Sequence, residues 1–158
     1  MDGAHHLGQP VIIVPLAQAD RADWLELRMA LWADTSREEH KAEISEALAR
    51  SGKGLNIIAR GPDGAALGFA EASLRQDFVN GTDTSPVAFL EGIFVVPHAR
   101  RQGVARALVA ATEDWARQMG CTEFASDALL ENTESHQMHA ALGFEETERV
   151  VFFRKVLG

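Results

Sequence analysis

One segment of the chain, residues 89–120, constrains the fold more than any other. Residues 89–96 form an apolar run with the length and β-branched content of an interior strand, and Pro97 ends its ladder of hydrogen bonds. From Gly103 onward the apolar residues recur with a helical period, and Gly120 stands where a helix stop is expected. The pattern predicts a buried strand, a glycine loop and an amphipathic helix in direct succession.

The glycine loop predicts an anion-binding site. A loop that enters a helix presents backbone N–H groups without intrahelical partners, at the positive end of the helix dipole. Gly103 and Ala105 are small where the backbone must approach a phosphate closely. Neither G-x-G-x-x-G nor G-x-x-x-x-G-K-[ST] is present, so the spacing is not that of a nucleotide fold. A diphosphate fits this cradle, and the alternative is an ordinary strand-loop-helix unit with surface arginines.

Composition and charge favour a compact globular domain that does not bind nucleic acid. The 158 residues suffice for one domain with a sizeable core, and 46% of them are hydrophobic. Fifteen basic residues against 23 acidic ones give a net charge of −8, which argues against a nucleic-acid partner. Positive potential for an anionic cofactor must be local, as Arg100, Arg101 and Arg106 would supply it. The acidic remainder suits a cationic co-substrate, although solubility alone also explains it.

Cysteine usage and the lack of long apolar runs indicate a cytoplasmic protein. The single cysteine, Cys121, cannot form an internal disulfide and is expected to be a buried structural thiol. No apolar run has membrane-spanning length and the first ten residues lack the apolar core of a signal peptide, so no membrane partner is expected. His5 and His6 are adjacent in a polar terminus, which is more typical of a flexible tail than of a metal site, so no metal is expected.

The chain is expected to form one domain of the α/β (α+β) class, with a mixed central sheet flanked by helices. Residues 1–10 are predicted to be a flexible tail and residues 11–158 the domain. Strong local signals are the capping box Ser36-x-x-Glu39 and the hairpin turn Gly61-Pro62-Asp63-Gly64. The predicted order is β-α-α-β-β-β-α-β-α-β, with strands at 11–16, 56–60, 65–75, 89–96, 123–127 and 146–156 and helices at 23–32, 36 to about 51, 103–119 and 133–142.

The glycine loop resembles that of a known family. Arg100-x-x-Gly103-x-Ala105, with V-x-P in front and an amphipathic helix behind, resembles the acyl-coenzyme A loop of the GNAT acetyltransferase superfamily. An L-G-F at 142–144 follows the last helix as it does there, and the element order is the GNAT order. The resemblance implies acetyl-CoA as co-substrate, with its pyrophosphate on the loop and its pantetheine arm along the preceding strand. The residues implied to bind it are Ile93, Phe94, Val95, Arg101, Gln102, Gly103, Val104, Ala105, Arg106 and Asn132.

A narrower resemblance covers the chain from about residue 24 to residue 155. The stretches at 77–81, 89–95, 125–127, 131–133 and 142–150 look like aminoglycoside 6′-N-acetyltransferases. The last of them, L-G-F-E-E-T-E-R-V, is the most specific, because no general fold rule demands it. The resemblance implies acetyl transfer to the 6′-amino group of a cationic aminoglycoside, and hence antibiotic resistance. It also implies a homodimer, and the strand predicted at 146–156 offers an edge that would need covering.

Glu91 is the strongest candidate for catalysis from the residues themselves. The amine must lose a proton before it attacks the thioester carbonyl, so the enzyme needs a base near the coenzyme. Glu91 interrupts an apolar strand, where a lone carboxylate is costly without a partner, and Gly92 beside it suggests a bulge. Regular alternation would place Glu91 on the face of Phe89, Ile93 and Val95. It is predicted to lie at the floor of a cleft, and the alternative is an ion pair with a core arginine such as Arg28.

The family resemblance implies further site residues, each with a structural alternative. Asp127 matches a substrate-binding acid and base, and otherwise caps the following turn. Asn132, matched to a coenzyme contact, is otherwise also a cap. Trp32 and Phe78 match aromatic positions that flank the bound sugar, and Trp32 is otherwise a core residue. Glu148 matches an acidic substrate contact, and otherwise lies on a solvated strand face.

One departure from the family concerns the general acid. Many GNAT enzymes carry a tyrosine that protonates the leaving thiolate, but this chain has no tyrosine, and His139 stands at that position. His139 either protonates the thiolate or packs on a helix face. Phe78 likewise stands where relatives have tyrosine, which removes one hydroxyl from the substrate site.

Two other functions remain open at this stage. One is a GNAT enzyme that acetylates another polyamine-like or peptide amine. The other is a non-catalytic protein that senses acyl-CoA or sequesters the drug. Glu91 and Asp127 together argue against the non-catalytic protein, because a sensor needs no base.

Overall fold

The computed structural model describes residues 10–50 and 52–158. The predicted tail at residues 1–10 lies, apart from Pro10, outside the described residues. The strands are β1 (Ile12–Pro15), β2 (Gly54–Arg60), β3 (Ala66–Arg75), β4 (Val87–Val95) and β5 (Phe124–Ser126), and the helices are α1 (Arg21–Leu31), α2 (Arg37–Ala49), α3 (Val104–Gln118) and α4 (Thr133–Ala141). The strands form one sheet in the order β1-β2-β3-β4-β5. The first three pairs are antiparallel and β4 is parallel to β5, so the sheet is mixed, as predicted.

Short-range signals place several element ends where they were predicted. Ser36 accepts a hydrogen bond from the Glu39 N–H, and the Glu39 carboxylate accepts one from the Ser36 N–H, which completes the capping box of α2. Gly103 precedes α3 with φ +83°, and Gly120 follows it with φ +84°. Both lie in the left-handed region that glycine adopts without a Cβ clash, so each marks one end of the helix.

Helices cover both faces of the sheet. On one face, Val104 and Leu108 of α3 join Leu90 in a buried cluster. On the other face, Trp24 of α1 packs with Phe69 and with residues of α2. No helix within the described residues is long and apolar enough to cross a membrane.

A β-bulge in β4 displaces Glu91 from the regular ladder. Ala72 pairs with Leu90 and Glu71 pairs with Gly92, so Glu91 has no partner position on β3. The bulge predicted beside Gly92 is therefore confirmed. Because a bulge adds one residue to one strand, it shifts the alternation of side chains beyond it.

Because of the bulge, the side chains of β4 do not all lie on the predicted faces of the sheet. Ile93 and Val95 pack in the cluster beneath α3. Glu91 instead accepts a hydrogen bond from Ser73, whose register partner is Phe89. Of the three residues, Glu91 therefore shares a face with Phe89, and the expectation that it shares a face with Ile93 and Val95 is wrong.

The last two strands of the sheet separate halfway along β4. Their pairing runs from Ala88 opposite Phe124 to Leu90 opposite Ser126. Beyond that point β4 continues to Val95, whereas β5 ends and the chain leaves the sheet at Asp127. The parting of two parallel strands opens a gap beside the second half of β4.

The closing strand predicted at 146–156 does not form within the chain. Residues 144–158, here called the C-terminal segment, are neither helix nor strand. Phe144 packs against Phe124, and Thr147 lies against Gly81, but the rest of the segment leaves the domain. A strand needs a neighbouring strand for its N–H and C=O groups, and this segment does not pair with β5. A β-rich sequence is therefore not enough to form a strand here.

Candidate active site

A cleft of about 430 Å³ opens where β4 and β5 part. Six of the predicted site residues line it together: Trp32, Glu91, Ile93, Asp127, Asn132 and His139. The other lining residues are Leu31, Ala33, Asp34, Thr35, Leu90, Gly92, Ser126, Ala128, Leu129, Ser135 and Met138. The end of α1 and the loop after it form one wall, the bulge of β4 forms the floor, and the chain from β5 into α4 forms the opposite wall.

Trp32 supplies the aromatic part of the first wall. Its ring meets Phe69 edge to face at a centroid distance of 6.0 Å, and the Arg28 guanidinium carbon lies 4.8 Å from its ring centroid. A Cβ at Gly92 would overlap the Trp32 indole, so only glycine lets the indole lie on the β4 bulge. Trp32 thus packs on the core and borders the cleft.

A buried charge network lies behind Trp32. Arg28 is 4% exposed, and its Nη1 donates to both carboxylate oxygens of Glu71, at 2.6 and 2.5 Å. Its Nη2 donates to Glu43, and its Nε donates to Nδ1 of the fully buried His40 at 3.2 Å. The Trp24 indole N–H donates to Glu71 at 2.9 Å. Sequence reasoning missed this network, although a glutamate inside the apolar strand β3 was a signal of the same kind as Glu91.

Glu91 is partly exposed and is paired with Arg75. Its side chain is 38% exposed, Arg75 Nη2 lies 2.9 and 3.2 Å from its two oxygens, and the Ser73 hydroxyl donates to it at 2.5 Å. The alternative of an ion pair with Arg28 is wrong, because Arg28 is held by Glu71 on the neighbouring strand. Glu91 consequently keeps access to the cleft, and its counter-ion is itself exposed to solvent.

Asp127 and Asn132 reach the cleft from the chain between β5 and α4. Asn132 Oδ1 accepts a hydrogen bond from the Ser135 N–H at 3.1 Å, so Asn132 is the N-cap of α4. Asp127 is exposed and directly follows β5. Because Asn132 caps α4, Asp127 is not required for that purpose.

His139 is held at the cleft by hydrogen bonds at both ring nitrogens. Its Nδ1 lies 2.7 Å from the carbonyl oxygen of Ser135, and its Nε2 lies 2.8 Å from the Ser126 hydroxyl. A carbonyl only accepts, so Nδ1 carries the proton, and in the neutral ring Nε2 accepts from Ser126. The ring also meets Phe144 edge-on, with centroids 5.2 Å apart. Sequence reasoning missed Ser126 as the partner of His139.

The loop before α3 has the geometry of an anion cradle. Arg101 and Gly103 have φ +63° and +83°. The Ala107 N–H makes the first hydrogen bond of the helix, to the Gly103 carbonyl, so the N–H groups of residues 104–106 precede the helical ladder. A Cβ at Gly103 would meet nothing within 4 Å, so the loop is open at this glycine. The loop therefore fits a diphosphate.

The other predicted coenzyme residues differ in where their side chains lie. Gln102 and Arg106 each donate to a backbone carbonyl, at 3.1 and 3.3 Å. On β4, Ile93 lines the cleft, Phe94 packs toward α1 and α2, and Val95 is buried beneath α3. The three side chains therefore have different surroundings, and only the backbone groups of these residues can form one row of contacts beside the gap.

Two predicted substrate residues lie outside the lining of the cleft. Phe78 is 80% exposed on the loop after β3, and Glu148 is exposed on the C-terminal segment. The loop and the segment pass beside each other where Thr147 lies against Gly81. Neither Phe78 nor Glu148 is therefore brought to the cleft within a single chain.

A second, smaller cavity of about 240 Å³ lies between the end of α3 and β5, and no predicted catalytic or binding residue lines it. Cys121 borders it, is buried, and burial raises the pKa of its thiol. A thiol held in this way stays protonated at neutral pH, as expected for a structural cysteine. Across residues 10–50 and 52–158, no three His, Cys, Asp or Glu side chains come together as metal ligands.

Comparison with known sequences identifies related proteins that agree on one family. The sequence model of the acetyltransferase (GNAT) family matches residues 20–144. An aminoglycoside N(6′)-acetyltransferase type 1 from Serratia marcescens is 53% identical over 147 residues, which cover 92% of this chain and 100% of that protein. A protein of the same name from Acinetobacter baumannii is 50% identical over 146 residues, which cover 92% and 99%.

Solved structures share the fold. The 6′-N-acetyltransferase AAC(6′)-Ih from Acinetobacter baumannii superposes with a TM-score of 0.89 at 49% identity, over 94% of this chain and 100% of that one. AAC(6′)-Iy, in complex with the bisubstrate analog CoA-S-monomethyl-acetylneamine, has a TM-score of 0.88 at 46% identity with the same coverage. The predicted GNAT fold is confirmed. The chain belongs to the GNAT family of acetyltransferases, and within that family it is similar to the aminoglycoside N(6′)-acetyltransferases.

Proposed function

We propose that the protein transfers the acetyl group of acetyl-CoA to the 6′-amino group of an aminoglycoside. The observation that carries this proposal is the cleft between β4 and β5, where two of the lining carboxylates, Glu91 and Asp127, share one site with the indole of Trp32. Carboxylates attract a polycationic substrate, and the indole offers a flat apolar surface to a sugar ring. The relatives named as N(6′)-acetyltransferases support the 6′ position.

Acetyl-CoA supplies the acetyl group as an activated thioester. The N–H groups of residues 104–106 hold its pyrophosphate, and Arg101 and Arg106 add positive charge in a protein whose net charge is −8. Beyond Leu90, β5 no longer pairs with β4, so the backbone of residues 93–95 faces the gap and binds the pantetheine arm. Gln102, Val104, Ala105 and Asn132 complete the proposed coenzyme site.

Asp127 is the proposed base, and Glu91 the proposed partner of a substrate ammonium group. The 6′-ammonium must lose a proton before its nitrogen can attack the thioester carbonyl. Glu91 is already held by Arg75 and Ser73, whereas Asp127 stands exposed at the end of β5. Asp127 is therefore freer to meet the amine, directly or through a water molecule.

His139 and Ser126 are proposed to protonate the leaving group. When the amine nitrogen bonds to the carbonyl carbon, the carbon–sulfur bond breaks and coenzyme A leaves as a thiolate. The Ser135 carbonyl keeps the proton on Nδ1 of His139, so Nε2 is the nitrogen that gains and releases a proton. In the imidazolium form, Nε2 donates to the Ser126 hydroxyl, which lines the cleft and passes its own proton to the sulfur, while the acetylated nitrogen releases its surplus proton to solvent.

We also propose that this reaction confers antibiotic resistance and takes place in the cytoplasm. Acetylation converts the 6′-ammonium group into a neutral amide and so removes one positive charge from the drug. A drug with less positive charge binds an anionic target less tightly. The free, buried Cys121 is compatible with a reducing compartment.

The purified protein is expected to release coenzyme A thiol in the presence of an aminoglycoside that carries a 6′-amine. A matched aminoglycoside with a 6′-hydroxyl group in its place is the control and should give at most slow release. NMR of the product then locates the acetyl group on the 6′ nitrogen. Thiol release with polyamines or peptides alone would favour another GNAT substrate, and acetyl-CoA binding without turnover would favour a sensor.

We propose that the protein is a homodimer in which the C-terminal segments are exchanged. Large apolar side chains of this segment are exposed, including Phe152 at 86% and Phe153 at 92%. Among the residues that the structure describes, β5 has one strand neighbour, β4, so the outer edge of β5 can accept the segment of a second copy. This pairing covers both the open edge and the apolar side chains. Substrate binding by Glu148 depends on the same exchange, because within its own chain Glu148 lies outside the cleft.

The double variant Phe152→Glu/Phe153→Glu is expected to be a monomer, because the charges cannot be buried against a second copy. Wild-type protein should sediment with twice the 17.2 kDa mass of the chain. Ile12→Glu is the matched control, since Ile12 is also exposed but lies on β1, at the opposite edge of the sheet. A wild-type monomer, or a dimer that only Ile12→Glu disrupts, would contradict the exchange.

A further inference from the structure

We propose that His40 is a positioning residue that fixes Trp32 and the adjoining loop as one wall of the substrate cleft. This inference rests on the proposed function, in which that wall contacts the aminoglycoside. His40 is fully buried on α2 and does not line the cleft itself. Its ring stacks on the Trp32 indole, with centroids 6.4 Å apart and an angle of 25° between the planes. Its Nε2 lies 3.1 Å from the Trp32 carbonyl oxygen.

Arg28 determines which nitrogen of His40 carries the proton. The Arg28 Nε–H group points at Nδ1 of His40, and a guanidinium can only donate. Nδ1 must therefore accept, so it is unprotonated. The ring proton is on Nε2, which donates to the Trp32 carbonyl. Because Arg28 is itself held by Glu71 and Glu43, the His40 ring is kept in this one tautomer.

The hydrogen bond from His40 ends at the turn that follows α1. The Trp32 carbonyl lies past the last residue of the helix, where backbone carbonyls need partners outside the helical ladder. It accepts from the Thr35 N–H at 3.2 Å as well as from His40. Residues 32–35 all line the cleft. The buried His40 on α2 therefore connects the backbone of this wall to the core through one hydrogen bond.

The same contacts leave the indole of Trp32 little freedom. His40 stacks on it, Phe69 meets it edge-on, and Gly92 leaves no space between it and the bulge of β4. A wall held in its binding geometry before the substrate arrives lowers the entropic cost of binding. Loss of the His40 contacts should weaken drug binding and leave unchanged the binding of the coenzyme, which is proposed to contact the loop before α3 and the backbone of residues 93–95.

His40→Asn and His40→Gln separate the two contacts of the ring. The shorter asparagine places its oxygen near the position of Nδ1, so it accepts from Arg28 but removes the donor from α2 and leaves the Trp32 carbonyl with the Thr35 N–H alone. The longer glutamine places its amide nitrogen near the position of Nε2 and donates to Trp32. His40→Asn is expected to raise the KM and the Kd for the aminoglycoside about tenfold, the effect of one lost hydrogen bond of about 1.4 kcal/mol. His40→Gln is expected to stay within about threefold of wild type, and both variants should keep the KM for acetyl-CoA.

Calorimetric titration of the drug gives the Kd without turnover, and initial rates give the two KM values. Equal drug affinities in the two variants, or an equal rise in both KM values, would overturn the inference, because a general loss of stability acts on both substrates. Nitrogen-15 NMR of the histidines in the wild-type protein tests the tautomer even if a variant does not fold. A bare Nδ1 and a protonated Nε2 on His40 are expected, and the opposite tautomer would overturn the inference. A wild-type protein that neither binds nor acetylates aminoglycosides would instead refute the proposed function.

Discussion

Asp127→Asn is expected to lower kcat about 100-fold or more, since general base catalysis contributes about 10²–10⁴ in rate. Asparagine keeps the shape of the side chain but cannot take the proton of the 6′-ammonium group. Initial rates of thiol release across a pH series provide the measurement. The acidic limb of the wild-type kcat profile, in which the base becomes protonated, is expected to disappear or to shift. The KM for acetyl-CoA should stay near its wild-type value, because Asp127 is outside the proposed coenzyme loop.

Asp34→Asn is the matched control for Asp127→Asn. Asp34 is also exposed and lines the same cleft, so its removal takes an equal charge from the same site. If Asp127 contributes only charge, both variants should raise the KM for the drug by similar factors and keep the acidic limb. If Asp127 is the base, only its variant loses kcat.

Glu91→Gln completes this comparison. We expect a smaller loss of kcat than in Asp127→Asn, because Arg75 and Ser73 already hold the Glu91 carboxylate. Wild-type kcat and an intact acidic limb in both the Asp127 and the Glu91 variants would contradict the proposed base. The amine would then arrive neutral or lose its proton to water.

Gly103→Val is expected to raise the KM for acetyl-CoA about tenfold or more. Gly103 has φ +83°, a conformation that a β-branched residue adopts only with strain, and the N–H groups that follow it form the proposed pyrophosphate site. Displacing one or two charge-assisted hydrogen bonds costs about 1.5–3 kcal/mol each. Saturation kinetics and calorimetric titration with coenzyme A measure the effect.

Gly120→Val is the matched control for backbone strain. Gly120 has φ +84° at the other end of α3, and a Cβ there would also meet nothing within 4 Å. Both variants should lose similar thermal stability, but only Gly103→Val should lose affinity for the coenzyme. Unchanged coenzyme affinity in a folded Gly103→Val protein would contradict the assignment of the loop.

Elements that depend on near neighbours in the chain could be predicted from the sequence. The capping box of α2 formed as predicted, and α3 lies between Gly103 and Gly120, the two glycines at which the sequence predicts its ends. The turn at Gly61–Gly64 closes through a hydrogen bond from the Gly64 N–H to the Gly61 carbonyl and joins β2 to β3. Caps, turns and helical periods are short-range, so the residue types at fixed spacings are sufficient to specify them.

The partners of the charged residues could not be predicted in the same way. Glu91 and Glu71 are both single glutamates in apolar strands, and the sequence does not distinguish which of them pairs with Arg28. The bulge in β4 and the register with β3 place Glu71 against Arg28 and leave Glu91 to Arg75. A shift of one residue in one strand changes the neighbours of every side chain beyond it.

The sequence by itself determined the order of elements up to α4, the anion cradle before α3, and the candidates Glu91, Asp127 and His139 for one site. Only the tertiary structure decided that these three share a cleft with Trp32, that Ser126 pairs with His139, and that His40 stands behind the Trp32 wall. It also decided that residues 146–156 do not close the sheet of their own chain. Local preferences specify how each segment folds, whereas hydrogen-bond partners and strand neighbours come from parts of the chain that meet only when the whole domain is packed.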